Sequence, residues 1–188
     1  MRILAISGSL RRDSHNTALL RAAAQLLPPE VELVHYESLA DIPNFNEDDV
    51  ASRPAAAQHF WDAVADADGV LVSTPEYNQS ISGVLKNALD WLSRPLQDSP
   101  LRNKPAVVVG ASTGMFGAVW AQAETRKVLT AIGARVVDRE LPVPSAHEQF
   151  TEDGRLSDEE LERELIVSLT ALTDAVAARA SRQTAATG

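Results

Sequence analysis

The stretch "RILAISGSLRRDSHNTALL", residues 2–20, decides the fold. Residues 2–7 are an apolar run of strand length, and a helix is expected shortly after it, with Ser14 or Asn16 at its cap. Between the two stand Gly8, Ser9, Arg11 and Arg12, a polar loop joining a strand directly to a helix. That is the opening of a βαβ unit.

Working outward, the apolar runs recur as "VELVHY" at 31–36, "GVLVST" at 69–74 and "AVVVGAS" at 106–112, and a fifth strand is predicted from Arg135. Helical spacing fills the intervals. In "SISGVLKNALDWLSR" the residues Ile81, Leu85, Ala88, Leu89 and Leu92 share a face opposite Lys86, Asn87 and Asp90. In "FGAVWAQAETRKVLTAIG" a second stripe runs Ala121, Val128, Leu129 and Ile132, closed by Gly133 as C-terminal cap. Ser157 and Glu160 have capping-box spacing ahead of a stripe of Leu161, Leu165, Leu172 and Val176. Strands alternating with helices predict an α/β domain, a doubly wound five-stranded parallel sheet with helices on both faces. Residues 1–180 read as one domain, 41–54 and 139–156 as long surface loops, and 181–188 as a disordered tail.

Composition narrows the function. In 188 residues, 26 acidic side chains outnumber 17 basic ones for a formal net charge of -9, which argues against general affinity for nucleic acid or anionic membranes. Any anion site must be local. The absence of cysteine removes disulfides, thiol nucleophiles and thiolate metal sites. His15, His35, His59 and His147 show no metal-ligand spacing, and Asp62, Asp66 and Asp68 read as a solvated acidic face, so no metal is expected. The start "MRILAISGSL" does not read as a signal peptide and no apolar run approaches a membrane span, so the expected location is cytoplasmic.

Ligands of open parallel sheets bind beyond the carboxyl ends of the strands. Three such ends carry unusual chemistry here. After the first strand, Ser9, Ser14, Asn16 and Thr17 offer polar side chains, Arg11 or Arg12 a charge, and the following helix its free N–H groups, a set suited to a phosphate monoester. The segment has no lysine, against a triphosphate P-loop, and a single glycine, against a dinucleotide fingerprint. After the third strand, "STPEYNQSISG" presents Pro75, Glu76, Tyr77 and Asn78, suited to a planar heterocycle. After the fourth, "ASTGMFGAVW" places Ser112 and Thr113 beside Gly114 and Gly117, which let backbone approach a ligand closely. Taken alone, the second loop reads better as ordinary turn and cap chemistry and the third equally well, whereas the first, as a cluster, favours a ligand. Together, in the winding order 2-1-3-4-5 of a flavodoxin-like sheet, they describe a mononucleotide of the flavin type.

These residues resemble the NAD(P)H-dependent FMN reductases of flavodoxin-like fold, which include quinone and chromate reductases and azoreductases. The resemblance covers roughly residues 2–140 and rests on "GSLRRDSHNTALL", "TPEYNQSISGVLKNALDWLSRP" and "ASTGMFGAVWAQAETRKVL". It implies that Ser9, Arg11, Ser14, Asn16 and Thr17 hold the FMN phosphate. Pro75, Glu76, Tyr77 and Asn78 would line the ring, with Ser112, Thr113, Gly114 and Gly117 approaching from the other side. Asn78 and Tyr77 are expected to tune the ring, and no side chain is expected to be catalytic by itself. Within the loop, Arg12 and His15 are expected to take the smallest part, and alanine at both Ser14 and Asn16 to weaken FMN retention without unfolding the domain.

The resemblance further implies hydride transfer from NAD(P)H, the co-substrate, through FMN to a small-molecule acceptor: a quinone, free flavin, azo compound or oxidised metal anion. A homodimer or homotetramer is expected, with Trp91 and Trp120 either facing a partner or packed in the core. Two residues depart from the pattern: Ser82 stands where relatives often carry proline, implying a less rigid loop, and Trp120 is larger than expected. An electron carrier of the flavodoxin type holding FMN tightly is the alternative, and a flavin-free binding module a second one.

Overall fold

A computed structural model describes residues 1–187. Its strands are β1 (Arg2–Ser7), β2 (Glu32–Tyr36), β3 (Gly69–Thr74), β4 (Glu76–Tyr77), β5 (Ser80–Ile81), β6 (Pro105–Ala111), β7 (Arg135–Val136) and β8 (Pro142–Val143). The helices are α1 (His15–Leu26), α2 (Ala55–Asp66), α3 (Gly83–Leu92), α4 (Val119–Ile132) and α5 (Glu159–Thr187). The main sheet runs β2-β1-β3-β6-β7, every pair parallel. This is the anticipated 2-1-3-4-5 winding, with β6 and β7 in the fourth and fifth places.

Alternation along the strands builds two cores. Leu4, Ile6, Val70, Val72 and Val108 point to the face covered by α2, α3 and α4, while Ile3, Ala5, Leu71, Val107 and Val109 point to the face covered by α1 and α5. Burial of both faces is why these strands are apolar throughout rather than alternating.

The fifth edge position departs from expectation. It is shared by two short strands, β7 beside the start of β6 and β8 beside its end, because the charged residues Asp138, Arg139 and Glu140 leave the sheet between them. Residues 139–156 are accordingly not a mere surface loop, since Leu141, Val143 and Ala146 are buried.

Gly133 ends α4 at φ 103°, as its position suggested. The start of α5 differs: Asp158, not Ser157, caps it, its Oδ1 accepting from the N–H groups of Glu160 at 2.8 Å and Leu161 at 3.2 Å. Ser157 instead donates to the Glu148 carbonyl. The helix then continues to Thr187, through the segment expected as a tail, where alanine supplies strong helix propensity. Gly188 lies outside the described residues. Trp91 belongs to the core, 1 % exposed, with its Nε1 donating to the Pro43 carbonyl at 2.8 Å. Among the described residues no helix is long and apolar enough to cross a membrane.

Candidate functional site

The carboxyl ends of β1, β3 and β6 are neighbours, and the winding reverses between β1 and β3. There a polar cavity of about 150 Å³ opens, and all three loops contribute to its wall. Ser9, Arg11, Ser14 and Asn16 come from the first, Pro75, Glu76 and Tyr77 from the second, and Ser112 and Thr113 from the third.

The first loop is shaped for an anion. Ser14 caps α1, its Oγ accepting from the Thr17 N–H at 3.2 Å, which leaves the hydroxyl proton free to donate outward. The N–H groups of His15 and Asn16, in the first turn, have no intrahelical acceptor. The Arg11 guanidinium makes no side-chain hydrogen bond or ion pair among the described residues and lines the same space. Hydroxyls, free N–H groups and one guanidinium suit a phosphate dianion.

Asn16 plays a different part from the one expected. Its side chain is 3 % exposed and spent on the scaffold: Nδ2 donates to the Ala111 carbonyl at 3.0 Å, and Oδ1 accepts from Ala111 N–H at 3.0 Å and Ser73 Oγ at 2.8 Å. It ties α1 to the ends of β3 and β6, leaving its backbone N–H for a ligand. Thr17 is turned away, donating to Ser7 Oγ at 3.0 Å, and is absent from the cavity wall.

His15, set aside on sequence, does line the cavity, with its ring stacked on Phe150 at 6.3 Å between centroids and an interplanar angle of 4°. Burial, then the charge of Arg11 and then His147, hold its pKa below the ordinary imidazole value, so it faces the cavity neutral at pH 7. Its place as first residue of α1, directly after the cap, was the signal available in the sequence.

In the second loop, β4 and β5 pair antiparallel and are joined by Asn78 and Gln79 at φ 53° and 60°, a two-residue turn of the primed type. Asn78 therefore sits exposed at the turn tip, outside the cavity wall, while Tyr77 lines it with its side chain half exposed. Ser82 does not loosen this loop. It is 5 % exposed, donates to the Gly8 carbonyl at 2.7 Å and caps α3 through the Leu85 N–H, tying the second loop to the first.

Glu76 also lines the cavity, yet its carboxylate is committed to α4: Oε2 accepts from the N–H groups of Trp120 at 3.1 Å and Ala121 at 3.2 Å. The helix needs this acceptor because its cap position holds Ala118, which has none to offer. Replacing Glu76 by alanine is expected to lower stability by about 1 kcal/mol, with Glu76→Gln nearer wild type. Urea unfolding midpoints of the two variants check this; equal losses would mean that the side-chain acceptor does not matter.

In the third loop Ser112 Oγ accepts from the Gly114 N–H at 2.9 Å, holding Thr113 at the cavity wall. Gly114 and Gly117 do not line the cavity. At Gly117, with φ 57°, a Cβ would lie 2.6 Å from the backbone of Pro142 and Val143, so its close approach is to β8 and not to a ligand. Beside this loop Phe116 and Trp120 meet edge to face, 4.9 Å apart at 64°, both substantially exposed.

The family model described as NADPH-dependent FMN reductase matches residues 1–148. An NAD(P)H-dependent FMN reductase of Pseudomonas aeruginosa is 42% identical over 88% of this chain and 89% of its own length. A quinone reductase of Escherichia coli K12 is 36% identical over 74% of each. Among solved structures, the flavoenzyme NAD(P)H:(acceptor) oxidoreductase of Paracoccus denitrificans superposes with a TM-score of 0.82 at 32% identity, covering 93% of this chain and 96% of that one. With these matches across most of its length, the chain belongs to the NADPH-dependent FMN reductase family.

Proposed function

We propose that this enzyme passes reducing equivalents from NAD(P)H to a quinone, with FMN held across the ends of β1, β3 and β6. The observation that carries the reading is the cavity shared by those three strand ends, in which an anion-seeking helix terminus and Arg11 stand opposite Tyr77 and Thr113. When bound, FMN supplies the hydride chemistry, and the protein supplies orientation and electrostatics.

Ser9, Arg11, Ser14 and the first-turn N–H groups of α1 are the residues to hold the phosphate. Pro75, Glu76 and Tyr77 on one side, with Ser112 and Thr113 on the other, are those to line the ring. Glu76 fixes the second loop against α4 and so sets the distance between the two ring-facing walls. The exposed aromatic pair Phe116 and Trp120, next to Glu76, offers apolar aromatic surface that favours an aromatic acceptor such as a quinone over a hydrated metal anion. The exposed apolar side chains Tyr77, Met115, Phe116 and Trp120 also support a homodimer or homotetramer.

The test is an anaerobic titration of FMN-loaded protein with NADPH, followed by a quinone, a free flavin, an azo dye and chromate. Bleaching by NADPH and fastest recolouring by the quinone are expected; no bleaching would leave the electron-carrier alternative. Ser14→Ala is expected to weaken FMN binding by about tenfold, read by quenching of flavin fluorescence, because a donor to the phosphate and the helix cap go together. Unchanged affinity would place the phosphate elsewhere.

A further inference from the structure

Beside the phosphate pocket lies a larger cavity of about 360 Å³, over the carboxyl ends of β1 and β2, and the two share Ser9 and Arg11 in their walls. Arg11, Arg12 and Arg21 all line it, and Glu37 is the one carboxylate that does. None of the three guanidiniums makes a side-chain hydrogen bond or an ion pair among the described residues, in a chain whose acidic groups outnumber its basic ones by 26 to 17. Leu10 and Leu39 add apolar wall. His35 faces the same space; burial first, and Arg21 second, lower its pKa against the opposing effect of Glu37, so at neutral pH it is an uncharged donor and acceptor.

We propose that this second cavity receives the 2′-phosphate-bearing adenosine end of the nicotinamide dinucleotide, and that Arg12 and Arg21 make the enzyme prefer NADPH to NADH. The inference rests on the reading that FMN phosphate occupies the first cavity, which leaves Arg12 and Arg21 as the cations without an assigned anion. Like charges gathered around one cavity are stabilised by a dianion set among them, whereas the 2′-hydroxyl of NADH offers them only a neutral partner. A guanidinium also matches phosphate oxygens in a two-point fork and stacks on a purine, and the leucines cover the base.

The probes are adenosine 2′,5′-bisphosphate and 5′-AMP, titrated by calorimetry into FMN-loaded wild-type protein and an Arg12→Ala/Arg21→Ala variant. FMN affinity and the thermal midpoint are measured on both proteins. Wild type is expected to bind the bisphosphate at least about tenfold tighter than 5′-AMP. The double variant should bind the two alike, with FMN affinity and thermal midpoint unchanged, and its KM should rise for NADPH but not for NADH. Equal wild-type affinities, a preference that survives in the double variant, or displacement of FMN by the bisphosphate would each overturn the proposal. Failure of wild-type protein to retain FMN would instead strike the reading of the first cavity.

Discussion

Replacing Asn16 by alanine lowers folding stability by about 3 kcal/mol and costs flavin affinity as a consequence of the lost scaffold. The side chain makes three buried hydrogen bonds, and without it the Ala111 N–H, the Ala111 carbonyl and the Ser73 hydroxyl lose their partner together. A buried polar group left unsatisfied costs about 1–3 kcal/mol, and Ser73 can rotate to recover part of its share. The Ser14/Asn16 double replacement is therefore expected to cost the domain stability as well as flavin affinity, where the sequence alone pointed to flavin affinity. The measurement is urea unfolding of FMN-free Asn16→Ala beside FMN-free Ser14→Ala. A large drop for the first and a small one for the second are expected. If Asn16→Ala unfolds within about 1 kcal/mol of wild type while its flavin affinity collapses, its amide contacts the ligand after all.

The same residue shows what a sequence can and cannot disclose here. Strand runs, helical stripes and the Gly133 cap were legible because each is a local pattern whose cause lies within a few residues. The three loops were legible as a set because topology alone brings the ends of parallel strands together. The use to which each polar side chain is put was not legible, since its partner stands far away in the chain. Asn16 reaches Ala111 across 95 residues, Glu76 reaches α4 across 44, and Ser82 reaches Gly8 across 74. At each of these positions the residue type suited a ligand contact and a scaffold contact equally. The distant backbone group decided between them. Ser82 is instructive: the absence of proline reads locally as lost rigidity, but the hydroxyl replaces it with one tertiary hydrogen bond, to the Gly8 carbonyl, and with the cap of α3.

Lys104 makes the second large effect, at the end of the sheet opposite the site. It is 2 % exposed, and its Nζ donates to the carbonyls of Val64 at 2.5 Å, Ala65 at 3.0 Å and Ala67, around the C-terminus of α2. A cation there satisfies orphan carbonyls and complements the helix dipole. Lys104→Ala removes the donor and the packed stem, for an expected loss of about 3 kcal/mol; Lys104→Met keeps the stem and loses less. The amine's pKa is lowered to about 8, by burial first and then Arg179, with Asp68 and Asp66 opposing. Between that value and the ordinary lysine value near 10.5 the unfolded chain holds more protons than the folded one, so this group's contribution to stability rises with pH across the interval. The advantage of wild type over Lys104→Met should therefore be flat below about pH 7 and widen from about pH 8 to 10, by at most about 1.4 kcal/mol per pH unit. Tyr36, whose pKa burial raises, works in the opposite direction above its ordinary value, but in both proteins alike, and cancels from the difference. Urea unfolding of the pair at half-unit pH steps measures that difference directly. A flat difference from pH 7 to 10 would mean that Lys104 titrates as it does in the unfolded chain, and that the three carbonyls offset the cost of burying its charge.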